Sequence, residues 1–262
     1  MNIRFLLTPI ILFFSTAVSA QLLIGPEAGA NLSWTTFNDK DLKNEYSIKP
    51  VIGYNAGVHV GFRVQKRFFL HLSLIYSTKG RIIKEPSQDL RNKTRYNYIE
   101  MPIIYTIDFK GKIGGNKEFK YNLGVGPTVS YWLGGKGIIE NRDTDEFSTG
   151  KVPYKIALGK DPYEATENEM AVTDFNRVQL GLNITGSIIF EPAPSRQIML
   201  TLRYEVGHSF LARNDGAFKS TIYQDPLQSR NKGFRLSVAY LFDTKLDQRK
   251  RGKSTKDVKK KR

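Results

Sequence analysis

The sequence predicts an all-β protein, an eight-stranded antiparallel up-and-down transmembrane β-barrel. Three observations lead to this fold class. Eight runs of residues alternate apolar with small or polar side chains, which is the period of a β-strand. The connections between these runs are long at one end and short at the other. The apolar face is also too bulky to fit inside a barrel of eight strands.

Composition limits the alternatives. The chain has 262 residues, of which 40% are hydrophobic and 12% aromatic, and it contains no Cys. This length suits one large domain or two small ones. The absence of Cys excludes disulfide scaffolds, Cys-based zinc sites and thiol catalysis. A mean hydropathy of −0.37 excludes a helical membrane bundle but is compatible with a membrane barrel.

The first 20 residues have the pattern of a secretory signal peptide. Arg4 supplies the positive charge, residues 5–14 form the apolar segment, and residues 18–20 are a small-residue cleavage site. An apolar run of about ten residues is too short for a spanning helix, which needs roughly twenty. We therefore expect a signal peptide at 1–20 and a barrel at 21–242.

The last 20 residues form a basic tail. Residues 243–262 hold ten Lys or Arg against three Asp within a chain whose net charge is +15. With so few apolar residues, we expect a disordered periplasmic tail. Export disfavours nucleic acid as its partner and favours anionic lipid head groups, a periplasmic protein or an anionic polymer. Its main basic residues are Arg249, Lys250, Arg251, Lys259, Lys260, Lys261 and Arg262.

The eight alternating runs set the topology. They cover residues 22–34, 52–64, 68–79, 95–107, 119–133, 178–190, 198–207 and 234–242. The short connections are 65–67 and 191–196. The longer ones include 83–94, 108–118, 135–174 and 212–231. Outer-membrane barrels combine short periplasmic turns with long outer loops. An even number of strands then places both termini in the periplasm.

Alternation alone fits two kinds of barrel, because a soluble lipocalin-like binding protein also has one apolar face, which points inward. Here the apolar face carries nearly fifty large side chains, more than an eight-stranded interior can hold. The opposite face is rich in Gly and small polar residues. Aromatic residues also cluster near the strand ends, as in the interfacial girdles of membrane barrels. We therefore predict that the apolar face contacts outer-membrane lipid.

This orientation turns several charged residues into the lumen. Because buried charges are costly unless they are paired, we expect an ionic network that plugs the barrel. A gated ion path is the alternative. His59 and His71 share the inward face on a cross-strand diagonal, where two hydrogen-bonding His are favoured over a metal pair. The predicted network comprises Glu27, Arg63, Glu100, Arg203, Glu205 and Arg235.

Catalytic motifs are weak. His208 and Ser209 are adjacent, so in a regular strand they point to opposite faces, which disfavours a base–nucleophile pair. A lipid A-modifying hydrolase therefore stays a minor alternative, and we predict no catalytic, cofactor or metal site. Residues 124–127, Gly-Val-Gly-Pro, lack the spacing and following helix of a phosphate-binding loop.

Three motifs resemble a known family. They are Gly25-x-x-x-Gly29-x-Asn31-x-Ser33, the run 97–105 (NYIEMPIIY), and the Gly-x-Gly-Pro element at 124–127. Together they resemble the PorT-type outer-membrane β-barrel family of Bacteroidetes. The resemblance implies a non-enzymatic envelope protein with a structural, interaction or assembly role, linked in name-giving members to type IX secretion. The aromatic-terminated last strand is similar to the signal that the barrel-assembly machinery reads.

Overall fold

The computed structural model describes residues 22–85, 90–113, 117–141, 150–193, 195–219 and 223–244. The predicted signal peptide and the seven basic tail residues lie outside the described residues. Among the residues described, no helix is long and apolar enough to cross a membrane.

Twelve strands and one short helix make up the described chain. The helix α1 (Lys40–Glu45) begins after Asp39, whose side chain accepts a hydrogen bond from the Asp41 amide. The eight long strands are β1 (Leu22–Phe37), β2 (Ser47–Arg63), β3 (Phe68–Glu85), β4 (Leu90–Ile113), β5 (Lys117–Asn141), β8 (Val178–Ala193), β9 (Arg196–Phe210) and β12 (Ser229–Asp243). The four short strands are β6 (Lys151–Leu158), β7 (Glu169–Val172), β10 (Gly216–Phe218) and β11 (Gln224–Asp225).

The long strands form a closed ring. Each pairs antiparallel with its neighbours in the order β1-β2-β3-β4-β5-β8-β9-β12. Pairing of β12 with β1 closes the ring, and pairing of β5 with β8 bypasses the short strands. The predicted eight-stranded antiparallel barrel is therefore confirmed. The short strands continue the sheet from the far end of β5, through β6, β7, β10 and β11.

The barrel has two unlike ends. At the turn end, short connections join β2 to β3, β4 to β5 and β8 to β9, and both described termini lie there. At the loop end, the chain passes through α1 and the four short strands.

The faces of the barrel are inverted relative to a soluble protein. Large apolar side chains point outward, as at Ile52, which is 69% exposed, and Leu74, which is 60% exposed. The inward positions are buried and mostly Ser, Thr, Asn, Glu and Arg. This pattern matches a barrel whose solvent is lipid outside and whose polar groups face the lumen, and it rules out the lipocalin-like alternative.

Aromatic rings line both edges of the apolar band. Toward the loop end, the ring centroid of Phe234 lies 4.8 Å from that of Tyr204 and 5.9 Å from that of Trp34. Toward the turn end, Phe68 stacks on Tyr105 with centroids 5.6 Å apart. Such rings suit the boundary between hydrocarbon and water, because one part of the side chain is apolar and another can be hydrated.

Several strands extend into the segments that the alternation predicts as loops. Residues 83–94 and 108–118 were expected to be connections, but most belong to the ends of β3, β4 and β5. The expected loop 135–174 likewise contains the end of β5 together with β6 and β7. Past the apolar band the outward positions also carry charged and polar side chains, so the period-two signal weakens although backbone pairing continues. The paired residues Lys110 and Lys120 illustrate such a polar extension.

The outward apolar face allows a direct test of the lipid assignment. We expect Leu236→Arg, in the middle of the outer face of β12, to lower the free energy of unfolding from lipid vesicles by about 2–4 kcal/mol. Arg would have to enter hydrocarbon at a position where Leu236 is 52% exposed to the surroundings. Urea titration of the vesicle-inserted barrel measures this change.

Tyr163→Arg is the matched control, because Tyr163 is 89% exposed in the segment between β6 and β7. We expect Tyr163→Arg to leave the free energy of unfolding unchanged. If Leu236→Arg also left it unchanged, Leu236 would not face lipid.

Candidate functional site: the barrel lumen and its lid

The lumen toward the turn end is organised around the carboxylate of Glu27 on β1. Ser237 donates a hydrogen bond to Oε1 at 2.8 Å, and Ser73 donates to Oε2 at 2.9 Å. His59 Nδ1 lies 3.2 Å from Oε2, and Arg203 Nη2 lies 4.0 Å from Oε1. Four strands thus contribute partners to one buried carboxylate, as the cost of burying a charge requires.

The two lumen histidines extend this cluster across the barrel. His59 Nε2 and His71 Nδ1 share a hydrogen bond of 2.9 Å, and His71 Nε2 lies 3.1 Å from Thr106 Oγ1. The register places Ser73 opposite His59, which makes the two histidines diagonal neighbours. Their facing nitrogens bond each other rather than converging on a common point. Among the described residues, no group of three or more His, Cys, Asp or Glu is arranged to hold a metal ion.

A second charged layer fills the lumen closer to the loop end. The carboxylate of Glu100 on β4 forms ion pairs with both Lys79 and Arg235. Lys79 also pairs with Glu205, whose other oxygen lies 4.0 Å from Arg235 Nη2. Ser130 donates a further hydrogen bond to Glu100 at 3.3 Å. Across both layers, three cations face three carboxylates, so the charges of these two layers balance.

The structure changes the membership of the predicted network at two positions. Arg63 is exposed at the turn end of β2, and its guanidinium lies 5.1 Å from the centre of the Phe69 ring. It lies four residues beyond His59, roughly 13 Å along the strand, so it is not at the level of the carboxylates. Lys79, on the inward face of β3 but absent from the predicted network, is the cation shared by two carboxylates.

At the loop end, a buried ion pair fastens the segment before β12 into the mouth of the barrel. Arg81 Nη2 lies 3.0 Å from Asp225 Oδ2, and both side chains are fully buried. Arg81 also donates to the carbonyl of Pro226 at 2.7 Å, to Ser229 Oγ at 2.8 Å and to Thr35 Oγ1 at 3.2 Å. We call the described residues 211–219 and 223–228 the lid.

Tyrosine hydroxyls complete the polar contacts beneath the lid. Asn92 donates to Asp225 Oδ1 at 2.9 Å, and Tyr223 donates to the same atom at 3.1 Å. Tyr154 donates to Asn92 Oδ1 at 2.8 Å. Burial, followed by the negative charge of Asp225, raises the pKa of Tyr154 and of Tyr223 well above the usual range. Both phenols therefore stay protonated and available as donors.

An apolar cluster packs the lid against the wall of the barrel. Trp132 is fully buried, makes an edge contact with Tyr96 at 5.5 Å, and donates its indole N–H to the carbonyl of Gly134. Phe218 of the lid meets Tyr154 edge-on at 4.9 Å. The cluster joins the wall, the short strands and the lid through Leu90, Tyr96, Tyr98, Trp132, Ile139, Tyr154, Ile156, Met170, Val172, Leu211, Ala212, Phe218 and Leu227.

His208 and Ser209 do not form a catalytic pair. His208 is exposed, whereas Ser209 Oγ accepts a hydrogen bond of 3.0 Å from the backbone N–H of Leu180. The Ser hydroxyl is thus bound to a backbone amide of the neighbouring strand.

A closed antiparallel ring with an apolar outer face and a charge-paired interior defines an outer-membrane β-barrel protein. Residues 16–209, more than half of the chain, match the family described as outer membrane protein beta-barrel domain. The chain belongs to this family. No curated protein sequence matches it.

Three solved structures are similar to this chain at low identity. Neisserial surface protein A is 11% identical with a TM-score of 0.35, and the match covers 84% of this chain and 97% of that one. Ail, the attachment invasion locus protein of Yersinia pestis, is 11% identical with a TM-score of 0.34, covering 84% and 98%. OprG from Pseudomonas aeruginosa is 8% identical with a TM-score of 0.45, covering 85% and 94%.

The Arg81–Asp225 pair predicts how the lid is held. Arg81→Ala should leave the Asp225 carboxylate buried without its cation, which typically costs about 3–5 kcal/mol in the free energy of unfolding. We also expect chymotrypsin to cut the lid faster in this variant. Urea unfolding and timed digestion in detergent micelles measure the two effects.

Arg91→Ala provides the comparison, because Arg91 pairs with Glu140 at 2.8 Å where its side chain is 41% exposed. Removing this half-exposed pair should cost about 0–1 kcal/mol. If Arg81→Ala behaved no differently from Arg91→Ala, the pair would not fasten the lid.

Proposed function

We propose that this protein is a closed, non-conducting outer-membrane barrel with a structural, interaction or envelope-assembly role. The observation that carries the proposal is the filling of the barrel at three levels. The Glu27–His59–His71 cluster, the layer around Glu100 and the Arg81-fastened lid each cross the lumen with bonded side chains. An eight-stranded barrel is only wide enough for its own side chains.

The charge balance supports a plug over a gated pore. Each carboxylate of the two charged layers, Glu27, Glu100 and Glu205, has a cation within 4.0 Å, so a passing ion would have to displace partners that are already paired. The lid adds an apolar barrier beyond these layers. The bonding of Ser209 to a backbone amide likewise favours a non-enzymatic barrel over a lipid-modifying hydrolase.

We also propose that both termini lie in the periplasm and that the loop end faces outward. The described chain begins at Leu22 and ends at Thr244, and both lie at the turn end with the short connections. Short periplasmic turns and longer outer loops are the usual arrangement of such barrels. The basic tail would then be available to a periplasmic protein, an anionic polymer or anionic lipid.

Within the outer-membrane family, the strand motifs support a place among PorT-type barrels. The motif at 97–105 supplies Tyr98 and Glu100 to the lumen, where Lys79 lies 5.5 Å from the centre of the Tyr98 ring. Gly126 allows close approach of β4, because a Cβ there would lie 1.9 Å from the carbonyl oxygen of Ile103. This assignment favours an assembly role linked to type IX secretion, after insertion by the barrel-assembly machinery.

Ion flux through reconstituted protein tests the closed state. In phosphatidylcholine vesicles, we expect the native chain and Glu205→Ala to pass no more ions than empty vesicles. A single truncation leaves the lid and the other charged pairs in place. Arg63→Ala is the control, since Arg63 lies outside the network. A gated pore would be established instead if the native chain passed more ions than empty vesicles and this flux changed in Glu205→Ala but not in Arg63→Ala.

Cysteine labelling tests the orientation cleanly, because the native chain contains no Cys. A membrane-impermeant maleimide should label Tyr163→Cys on intact cells, since Tyr163 is exposed at the loop end. Lys66→Cys, in the turn between β2 and β3, should react only after the outer membrane is permeabilised. The reverse pattern would place the termini outside.

The assembly role is tested by deleting the gene in a host that has type IX secretion. We expect secreted cargo to accumulate in the periplasm and secretion to recover when the full-length chain is restored. A chain truncated after Thr244 separates the contribution of the basic tail from that of the barrel. Normal secretion by the deletion strain would contradict the PorT-type role.

A further inference from the structure

A groove lies at the loop end on the outward face of the wall, where β4, β5 and β6 continue beyond the ring. Its volume is about 690 Å³. Lys93 and Arg95 of β4, Lys136 of β5 and Lys155 of β6 line it together with the polar residues Thr166 and Asn168. The charged lining residues of the strands project from the face opposite the lumen, because the residues that alternate with them are buried.

Three of these cations form a row straight across the sheet. Arg95 is the register partner of Lys136, and Lys136 is the register partner of Lys155. We call Arg95, Lys136 and Lys155 the cation row. Directly opposed residues of neighbouring antiparallel strands project from the same face, and like charges there destabilise the sheet. All three residues are exposed, so hydration offsets part of this repulsion.

No described carboxylate neutralises the cation row. Within the described ranges, neither Lys93 nor any member of the row takes part in an ion pair. Glu169 also lines the groove and is the register partner of Lys155. Its carboxylate is instead held by Lys160 Nζ at 2.8 and 3.1 Å, and it accepts a hydrogen bond of 3.1 Å from the Thr166 amide.

A neighbouring row on the same sheet shows the neutralised alternative. Four residues along the strands, Arg91, Glu140 and Lys151 occupy the matching positions on β4, β5 and β6. There the central residue is acidic, and it pairs with Arg91 at 2.8 Å and Lys151 at 3.6 Å. In the cation row the central residue is Lys136, so this position lacks the anion that its counterpart has.

The location of the row indicates the source of that anion. Arg95 lies four residues beyond Ile99, an exposed residue of the apolar band, and so roughly 13 Å along the strand on the same outward face. On β5, Lys136 lies three residues beyond Leu133 of the band, and the register shift next to Gly134 leaves both side chains on the outward face. The cation row therefore lies just beyond the hydrocarbon, at the depth of lipid head groups.

We propose that this groove binds the phosphate groups of a phosphorylated glycolipid in the leaflet that surrounds the loop end. The cation row and Lys93 donate charge-assisted hydrogen bonds to the phosphate oxygens. Thr166 and Asn168 offer polar groups to the sugar hydroxyls. The assignment of the lipid to the outer leaflet rests on the outward orientation of the loop end proposed above. The binding of the lipid to the purified protein does not depend on that orientation.

The test compares the full chain with two charge-reversed variants in phosphatidylcholine nanodiscs that contain diphosphorylated lipid A. Lys136→Glu reproduces the neutralised pattern of the neighbouring row, so it should fold at least as well as the native chain. Lys43→Glu makes the same charge change in α1, at the same end of the barrel but outside the groove. The mobility of unheated and boiled samples in SDS gels confirms that each variant is folded.

Native mass spectrometry of the released barrels counts retained lipid A. We expect the native chain and Lys43→Glu to retain it and Lys136→Glu to retain about tenfold less, because one charge-assisted contact is worth about that factor. Lipid A from which both phosphates have been removed should not be retained. Equal retention by Lys136→Glu, or equal retention of the dephosphorylated lipid, would overturn the proposal.

A final arm identifies the source of the phosphate. The soluble diphosphorylated glucosamine disaccharide, without acyl chains, should bind more weakly than lipid A. If it bound as tightly, the groove would be a site for free phosphorylated saccharide and not for a membrane lipid. Neither result depends on ion flux or on labelling in cells. The lipid-binding proposal and the proposal of a closed, non-conducting barrel can therefore be contradicted independently.

Discussion

The absence of hydrogen-bonding partners in hydrocarbon is the constraint on which the whole architecture depends. Every backbone N–H and C=O within the apolar band has to be satisfied by a neighbouring strand, and a closed ring is the arrangement of strands that leaves no edge. The pairing of β1 with β12 and of β5 with β8 provides that closure. Because lipid takes the apolar side chains, the alternate residues have to enter a narrow polar lumen.

Closure and narrowness together explain the ionic layers. A charge inside an eight-stranded barrel has little access to water, so it is tolerated only with partners. Glu27 and Glu100 each gather donors from several strands, and these contacts tie distant parts of the ring together. The same contacts occupy the space through which an ion would pass. The side chains that stabilise the folded barrel are therefore also the ones that block its lumen.

The loop end differs from the apolar band, because polar surroundings replace hydrocarbon outside the wall. Strand pairing continues there without the apolar alternation, and the lid, which contains β10 and β11, covers the mouth. One buried ion pair, Arg81 with Asp225, and an apolar cluster around Trp132 fix the lid in place. On the outer surface, charged rows cross the extended sheet, one neutralised by Glu140 and one left cationic at Lys136.

Period-two alternation and side-chain volume are local properties, so the amino-acid sequence is enough to predict the ring of eight strands and its inverted faces. The same alternation places Glu27, Glu100, Arg203, Glu205, Arg235 and both lumen histidines on the inward face. Which charges meet depends on the folded barrel. Inter-strand register sets depth in the lumen, so Arg63 falls at the turn end while Lys79 joins two carboxylates. The pairing of Arg81 with Asp225 depends on how segments distant in sequence pack, so it leaves no periodic signal. The same holds for the alignment of β6 beside β5.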